Sequence, residues 1–154
     1  MDVVIASDHA AREMTLELGR RLHEGGRRVT ELPAGDGRSD YPSRAEEVAR
    51  AVVEGRYDRG ILLCGTGVGM AIAANKVAGV RAVVCSEPYS ALMSREHNDT
   101  NILALGARVI GVELAQMIAE TWLDAEFQGR RHQERVAMIS ALEAREIGTP
   151  RDRP

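Results

Sequence analysis

Along this 154-residue chain the hydrophobic period switches repeatedly between that of a strand and that of a helix, and this alternation constrains the fold more than any single motif. Residues 2–6 (DVVIA) read as a short buried strand, and an amphipathic helix near 11–24 ends at Gly25-Gly26. Residues 28–32 form a second strand, followed by the loop PAGDGRSDYP and a helix near 43–54. The third strand, 59–64, runs into a glycine turn and an alanine-rich helix in ILLCGTGVGMAIAANK. Strand four is 80–85, with a helix starting around Pro88, where proline suits the first turn. Residues 101–105 make a fifth strand, 111–123 a helix and, after the break at FQG, 131–146 a last helix. Parallel neighbours need crossovers, and crossover helices cover both faces of their sheet. The expectation is therefore an α/β domain over 1–147, in three layers, with a five-stranded parallel sheet between helices. GTPRDRP, 148–154, reads as a disordered tail.

Composition narrows the functional classes. Hydrophobic residues make up 44% but aromatics only 3%, so the core must rest on Ala, Val, Leu and Ile. A net charge of −3 and a pI near 5.8 argue against a nucleic-acid binder. No apolar stretch approaches the roughly 20 residues that span a bilayer. MDVVIASDHA also lacks the pattern of a signal peptide, so a cytoplasmic location is expected, with no membrane partner. Cys64 and Cys85 form neither a disulfide framework nor a CxxC pair, and four histidines without paired-ligand spacing indicate no metal site.

In doubly wound sheets, ligands bind beyond the carboxyl ends of the strands at a switch in strand order. That rule selects SDHA after strand one, CGTGVG after strand three and SEPYS after strand four. In Gly65-Thr66-Gly67-Val68-Gly69 the glycines admit a ligand close to the backbone, and N–H groups at the helix start favour an anion. Alone, the turn fits a tight connection equally well. It has neither the GxGxxG spacing nor a Walker lysine. Cys64, beside a helix start, could serve as nucleophile or general base, although cysteine is also an ordinary buried residue. Cys85 takes that structural reading. Asp8 and His9 end strand one and would face the Cys64 turn if strands one and three are neighbours. Arg95 to Asn101 (REHNDTN) is dense in polar groups, with His97 a candidate acid or base. Arg131 and Arg135 share one helical face and suit a phosphate dianion, or else pair with Glu134 or Glu143. Arg130, His23 and His132 read as solvent-facing.

Together these residues resemble the type B ribose-5-phosphate isomerases, grouped with the galactose-6-phosphate isomerase subunits, over about residues 3–146. The carriers are SDHA at 7–10, SDYP at 39–42, CGTGVGMAIAANK at 64–76, GVRAVVCSEPYSA at 79–91, SREHNDTNILALGARVIG at 94–111 and RHQERV at 131–136. The resemblance implies a Rossmann-like fold and interconversion of an aldose phosphate and a ketose phosphate without metal or organic cofactor. Cys64 matches the general base, the backbone of Gly65, Thr66, Gly67, Val68 and Gly69 the hole for the enediolate, and Thr66 an aid to proton movement. His97 matches the acid that opens the furanose ring. Asp8, His9, Tyr41 and Asn98 match substrate contacts, and Arg108, Arg131 and Arg135 the phosphate set. A homodimer, or a dimer of dimers, with the site shared across the interface is implied.

One branch of the family replaces the cysteine by a glutamate six positions further on. Met70 stands there, so the chain resembles the cysteine-dependent branch. Relatives often carry two glycines before the first phosphate arginine, whereas this chain has Gly129-Arg130-Arg131. Ribose 5-phosphate and ribulose 5-phosphate are the expected pair. The alternatives are an isomerase of erythrulose 4-phosphate, allose 6-phosphate or galactose 6-phosphate, with the loop 33–41 as pocket wall, and a non-catalytic sugar-phosphate-binding module. A thiol-redox role is weaker, since no second cysteine lies close in sequence.

Overall fold

The computed structural model describes residues 1–32 and 40–146, so the expected tail and most of the expected pocket-wall loop lie outside the described residues. Strands β1 (Asp2–Ser7), β2 (Arg28–Glu31), β3 (Arg59–Cys64), β4 (Ala82–Val84) and β5 (Ile102–Gly106) alternate with helices α1 (Arg12–Glu24), α2 (Tyr41–Val53), α3 (Val68–Ala74), α4 (Pro88–Asn98) and α5 (Val112–Asp124). A last helix, α6, spans Arg131–Glu146. All strand pairs are parallel, in the order β2-β1-β3-β5-β4, so the expected α/β architecture is observed. No helix among the described residues is long and apolar enough to cross a membrane.

Strand side chains alternate between two apolar layers, as the period of two requires. Val3, Ile5, Ile61, Leu63, Leu103 and Leu105 face α1, α4 and α5, where Leu18, Ala91, Ile118 and Trp122 complete one core. Val4, Ala6, Leu62, Cys64, Ile102 and Ala104 face α2 and α3, against Val48, Ala49, Met70 and Ala74. Both faces of β3 are covered, which is why RGILLC is a continuous apolar run rather than an alternating one. The alternation also puts the Cys64 side chain on the α2–α3 side.

The differences from expectation lie at element ends. His9–Ala11 forms a separate 3₁₀ turn capped by Asp8, whose Oδ1 accepts from Ala10 N at 2.9 Å, and α1 starts only at Arg12. Helix α2 begins at Tyr41, earlier than expected, because Pro42 lies in its first turn, where no N–H is missed. Strand β4 keeps only Ala82–Val84 of the expected 80–85. Arg81 turns its N–H to Asn101 Oδ1 (2.8 Å) instead of to the ladder.

The polar stretch after Ser94 is mainly structural. Asp99, at φ +48, ends α4 in the left-handed region, with its N–H donating to Arg95 O and that of Thr100 to Ser94 O. Beneath this cap Trp122 Nε1 donates to Thr100 Oγ1 at 2.8 Å, and Ser94 Oγ lies 3.0 Å from the same hydroxyl. Buried Arg95 donates to Asp99 Oδ1 (2.7 Å) and Thr100 O (2.6 Å). Every buried polar group in this knot has a partner, as burial demands.

Candidate active site

Three βα turns meet where β1, β3 and β5 end. Asp8 N donates to Leu63 O, which ties the SDHA turn to the end of β3 (3.2 Å). Strands one and three are neighbours, as the site reading of Asp8 and His9 required. Ala107 N donates to Cys64 O (2.9 Å) and Arg108 N to Gly65 O (3.0 Å), so the turn after β5 runs alongside the glycine turn.

Cys64 is buried, and its sulfur accepts the Gly67 N–H at 3.1 Å. That donor exists because Gly67 takes φ +79, which folds the chain back over the thiol before α3 starts. A methyl group there would also lie 3.0 Å from the backbone carbon of Leu105, so both conformation and space call for glycine. Thr66 Oγ1 is exposed and meets the Val68 N–H at 3.4 Å. Gly69 leaves room for the Tyr41 ring: a methyl group would stand 2.8 Å from Tyr41 Cε2. On the other flank the stem of Arg108 crosses Gly65, with Cδ 3.5 Å from where a side chain would begin. His9 lines an open cleft of about 540 Å³ between the start of α1 and Ala107. Met70 is fully buried in the core beneath the turn, where it cannot meet a ligand.

Asp8, His9, Tyr41, Cys64, Gly65 to Gly69 and Arg108 are thus brought together at one pole. His97, Asn98, Arg131 and Arg135 are not. Helix α4 leaves β4 at this pole and runs to the other, where Asn98 O and Asp99 O both accept from Arg81 Nε, just before β4 begins. Arg59, the first residue of β3, sits at that far pole too. Burial first, and then the charge of Arg95, lowers its pKa, while Asp99 opposes the shift. Cys64 is the last residue of the same six-residue strand, about 17 Å along its axis.

At the far pole the start of α6 packs on the end of α4. The His97 and His132 rings stack with centroids 4.1 Å apart and planes 4° from parallel. His132 is buried, which corrects its reading as solvent-facing; the signal missed was that His97 offers an imidazole face for it to cover. Arg131 and Arg135 are exposed and make no ion pair among the described residues, and Glu143 instead accepts from Gly79 N at 2.9 Å. His23 and Arg130 are exposed as expected. Arg130 has φ +51, so the departure from a glycine pair places a non-glycine residue in the left-handed region. Cys85 is buried in the α1–α5 core, and its thiol is pushed up to about 11 by burial and then by Glu87.

Fold and turn together define a doubly wound α/β protein whose switch point carries a thiol that accepts the Gly67 N–H. Residues 3–139 match the Ribose/Galactose Isomerase family model. The chain is 53% identical over 144 residues to ribose-5-phosphate isomerase B of Escherichia coli K12, covering 93% of this chain and 97% of that protein. It is 43% identical to the D-erythrulose-4-phosphate isomerase of Pectobacterium atrosepticum, over 95% of this chain and 97% of the other. The structure of Clostridium thermocellum ribose-5-phosphate isomerase B superposes with a TM-score of 0.91 at 49% identity, covering 95% of this chain and 99% of that one. The chain belongs to the ribose/galactose isomerase family and, with it, to the aldose–ketose isomerases.

Proposed function

We propose that the protein interconverts ribose 5-phosphate and ribulose 5-phosphate in the cytoplasm, without a cofactor, through an enediolate. The observation that carries this reading is the Cys64 thiol, buried at the switch point with the Gly67 N–H on its sulfur. The pairing of Cys64 with His97 speaks against a mere binding module, which needs neither a base nor an acid.

The aldose enters as a furanose. The ring opens when the C1–O4 bond breaks, with O4 taking a proton from His97 and the anomeric hydroxyl giving one to Asp8. One carboxylate oxygen of Asp8 is occupied by Ala10 N–H and the other is left for substrate. Cys64, as thiolate, then removes the C2 proton, and charge develops on O1. Backbone N–H groups of the Gly65 to Gly69 turn stabilise that oxyanion. Thr66 passes a proton between O1 and O2, and Cys64 returns its proton to C1. The electrons stay within the substrate, so no redox partner is needed. Arg108, Arg131 and Arg135 hold the phosphate, remote from the reacting carbons, and supply positioning. His9, Tyr41 and Asn98 complete the substrate contacts.

One chain holds these groups at two poles, so the reading requires a homodimer, alone or paired into a dimer of dimers, in which each site takes His97, Asn98, Arg131 and Arg135 from the partner. Met138, Ile139 and Leu142 leave an exposed apolar stripe on α6, which supports such an association. A four-carbon substrate is the second reading, favoured by the identity to an erythrulose-4-phosphate isomerase. Comparing kcat/KM across four-, five- and six-carbon sugar phosphates tests the choice. A preference for ribose 5-phosphate that Cys64→Ala abolishes is expected. Full activity in Cys64→Ala would overturn the mechanism.

A further inference from the structure

His132 takes no part in the chemistry above, yet it is nine-tenths buried and lies flat against the proposed ring-opening acid. Its surroundings are closely tied. Gln128 N donates to Glu96 O (3.0 Å) and Gln128 Nε2 to Glu96 Oε2 (2.7 Å), which fastens the loop before α6 to the end of α4. His132 N then closes on Gly129 O at 3.0 Å, through the left-handed pair Gly129 and Arg130. These bonds hold the backbone that carries His132 against the end of α4, and the ring itself packs on His97.

The stack also governs protons. Arg131 Nε donates toward His132 Nε2 at 3.4 Å, so Nε2 is the acceptor and the single ring proton of neutral His132 sits on Nδ1. A second proton on His132 would set donor against donor at Arg131 Nε. Burial most of all, then the charges of His97, Arg131 and Arg135, hold the His132 pKa below the ordinary histidine value, and Glu96 alone pulls the other way.

We propose that His132 is a positioning residue for ring opening: stacked on the proposed acid, it fixes the plane of the His97 imidazole. The proposal rests on the reading of His97 as the ring-opening acid. It goes beyond that reading by assigning a role to a residue that touches no substrate.

Two assays separate ring opening from the chemistry at Cys64. Ribulose 5-phosphate cannot close a furanose, because its C5 oxygen is esterified. Deuterium exchange at its C1 therefore reports Cys64 and the enediolate alone, whereas turnover of ribose 5-phosphate also needs the ring opened. The ratio of the two rates cancels the protonation of Cys64. His132→Asn, which removes the ring, is expected to lower aldose kcat/KM about tenfold while ketose exchange changes by less than about twofold. His132→Phe keeps a flat ring without a titrating site. It is expected to stay within about threefold of the parent at neutral pH, because a flat ring still packs against His97.

Equal losses in both assays, or no change in either variant between pH 5.5 and 8.5, would overturn the positioning role. His97→Ala distinguishes the two levels. If it leaves the ratio intact, the reading of His97 fails. If it collapses the ratio while both His132 variants preserve it, only the role of His132 fails. Should His132→Phe fail to fold, His132→Asn decides the question alone.

Discussion

Cys64→Ala and His97→Ala each remove one half of the proposed site, from opposite poles of the sheet. Along β3 the poles stand about 17 Å apart, far beyond the ~3 Å within which an acid or base transfers a proton. On the proposed division of the site between two chains, each variant alone forms dimers in which both sites are damaged. In a mixed dimer, one site combines both lesions and the other combines the intact Cys64 pole of one chain with the intact His97 pole of its partner. Random association of equal amounts makes half of the dimers mixed, so the mixture should recover about one quarter of the wild-type aldose turnover. The assay is co-refolding of two differently tagged chains, isolation of the doubly tagged species and measurement of its turnover per dimer, expected at about half that of wild type. Cys64→Ala mixed with Arg108→Ala is the control: both lesions lie at the same pole, every mixed site is damaged, and no activity should return. Doubly tagged dimers as inactive as their parents would refute the division of the site between chains.

Further outcomes follow from particular contacts. Thr100→Val should cost about 1–3 kcal/mol in denaturant unfolding, because it strands the buried Trp122 N–H; a loss under about 0.5 kcal/mol would show that another acceptor takes over. Gly67→Ala forces an alanine to φ +79 at about 1–2 kcal/mol and presses its methyl on Leu105. Ketose deuterium exchange should fall well beyond what the lost stability explains, because the N–H on Cys64 Sγ moves. The lowered His132 pKa gives acid-sensitive stability: below the unfolded histidine value near 6.5 the unfolded chain binds the extra proton, so stability falls as pH drops from there toward the folded value. His132→Phe should flatten the melting temperature between pH 6.5 and 5, and an unchanged slope would count against the buried neutral ring. Alkylation at pH 8 should inactivate the enzyme with one thiol modified, since Cys85, buried and pushed up to about 11, stays protonated.

The sheet was legible because its strands are apolar on both faces and its helices on one, so period and composition agreed at every element. Strand order was not. Nothing in the run NILAL says that it inserts between β3 and β4, since a buried strand looks alike wherever it stands. Element ends slipped where a side chain competed with the backbone, as when Arg81 gave its N–H to Asn101 rather than to the ladder. The REHNDTN stretch looked chemical because polar density marks both sites and buried caps. Only the Thr100–Trp122 contact, twenty-two residues apart, separates the capping residues from His97 and Asn98.

Which pole each candidate occupies was also implicit in the alternation, through a step that local motifs hide. In a parallel α/β sheet every βα turn lies at one pole and every αβ turn at the other. SDHA, CGTGVG and the turn at Arg108 follow strands, and so they converge. His97 and Asn98 precede a strand, and so they lie at the opposite pole within the same chain. A reaction that draws its base from the first set and its acid from the second cannot be completed by one copy of this fold, however well its helices close. On the proposed reading, the two histidines stacked at the far pole have a reason to be rigid: an acid offered to a second copy's substrate needs its plane set in advance.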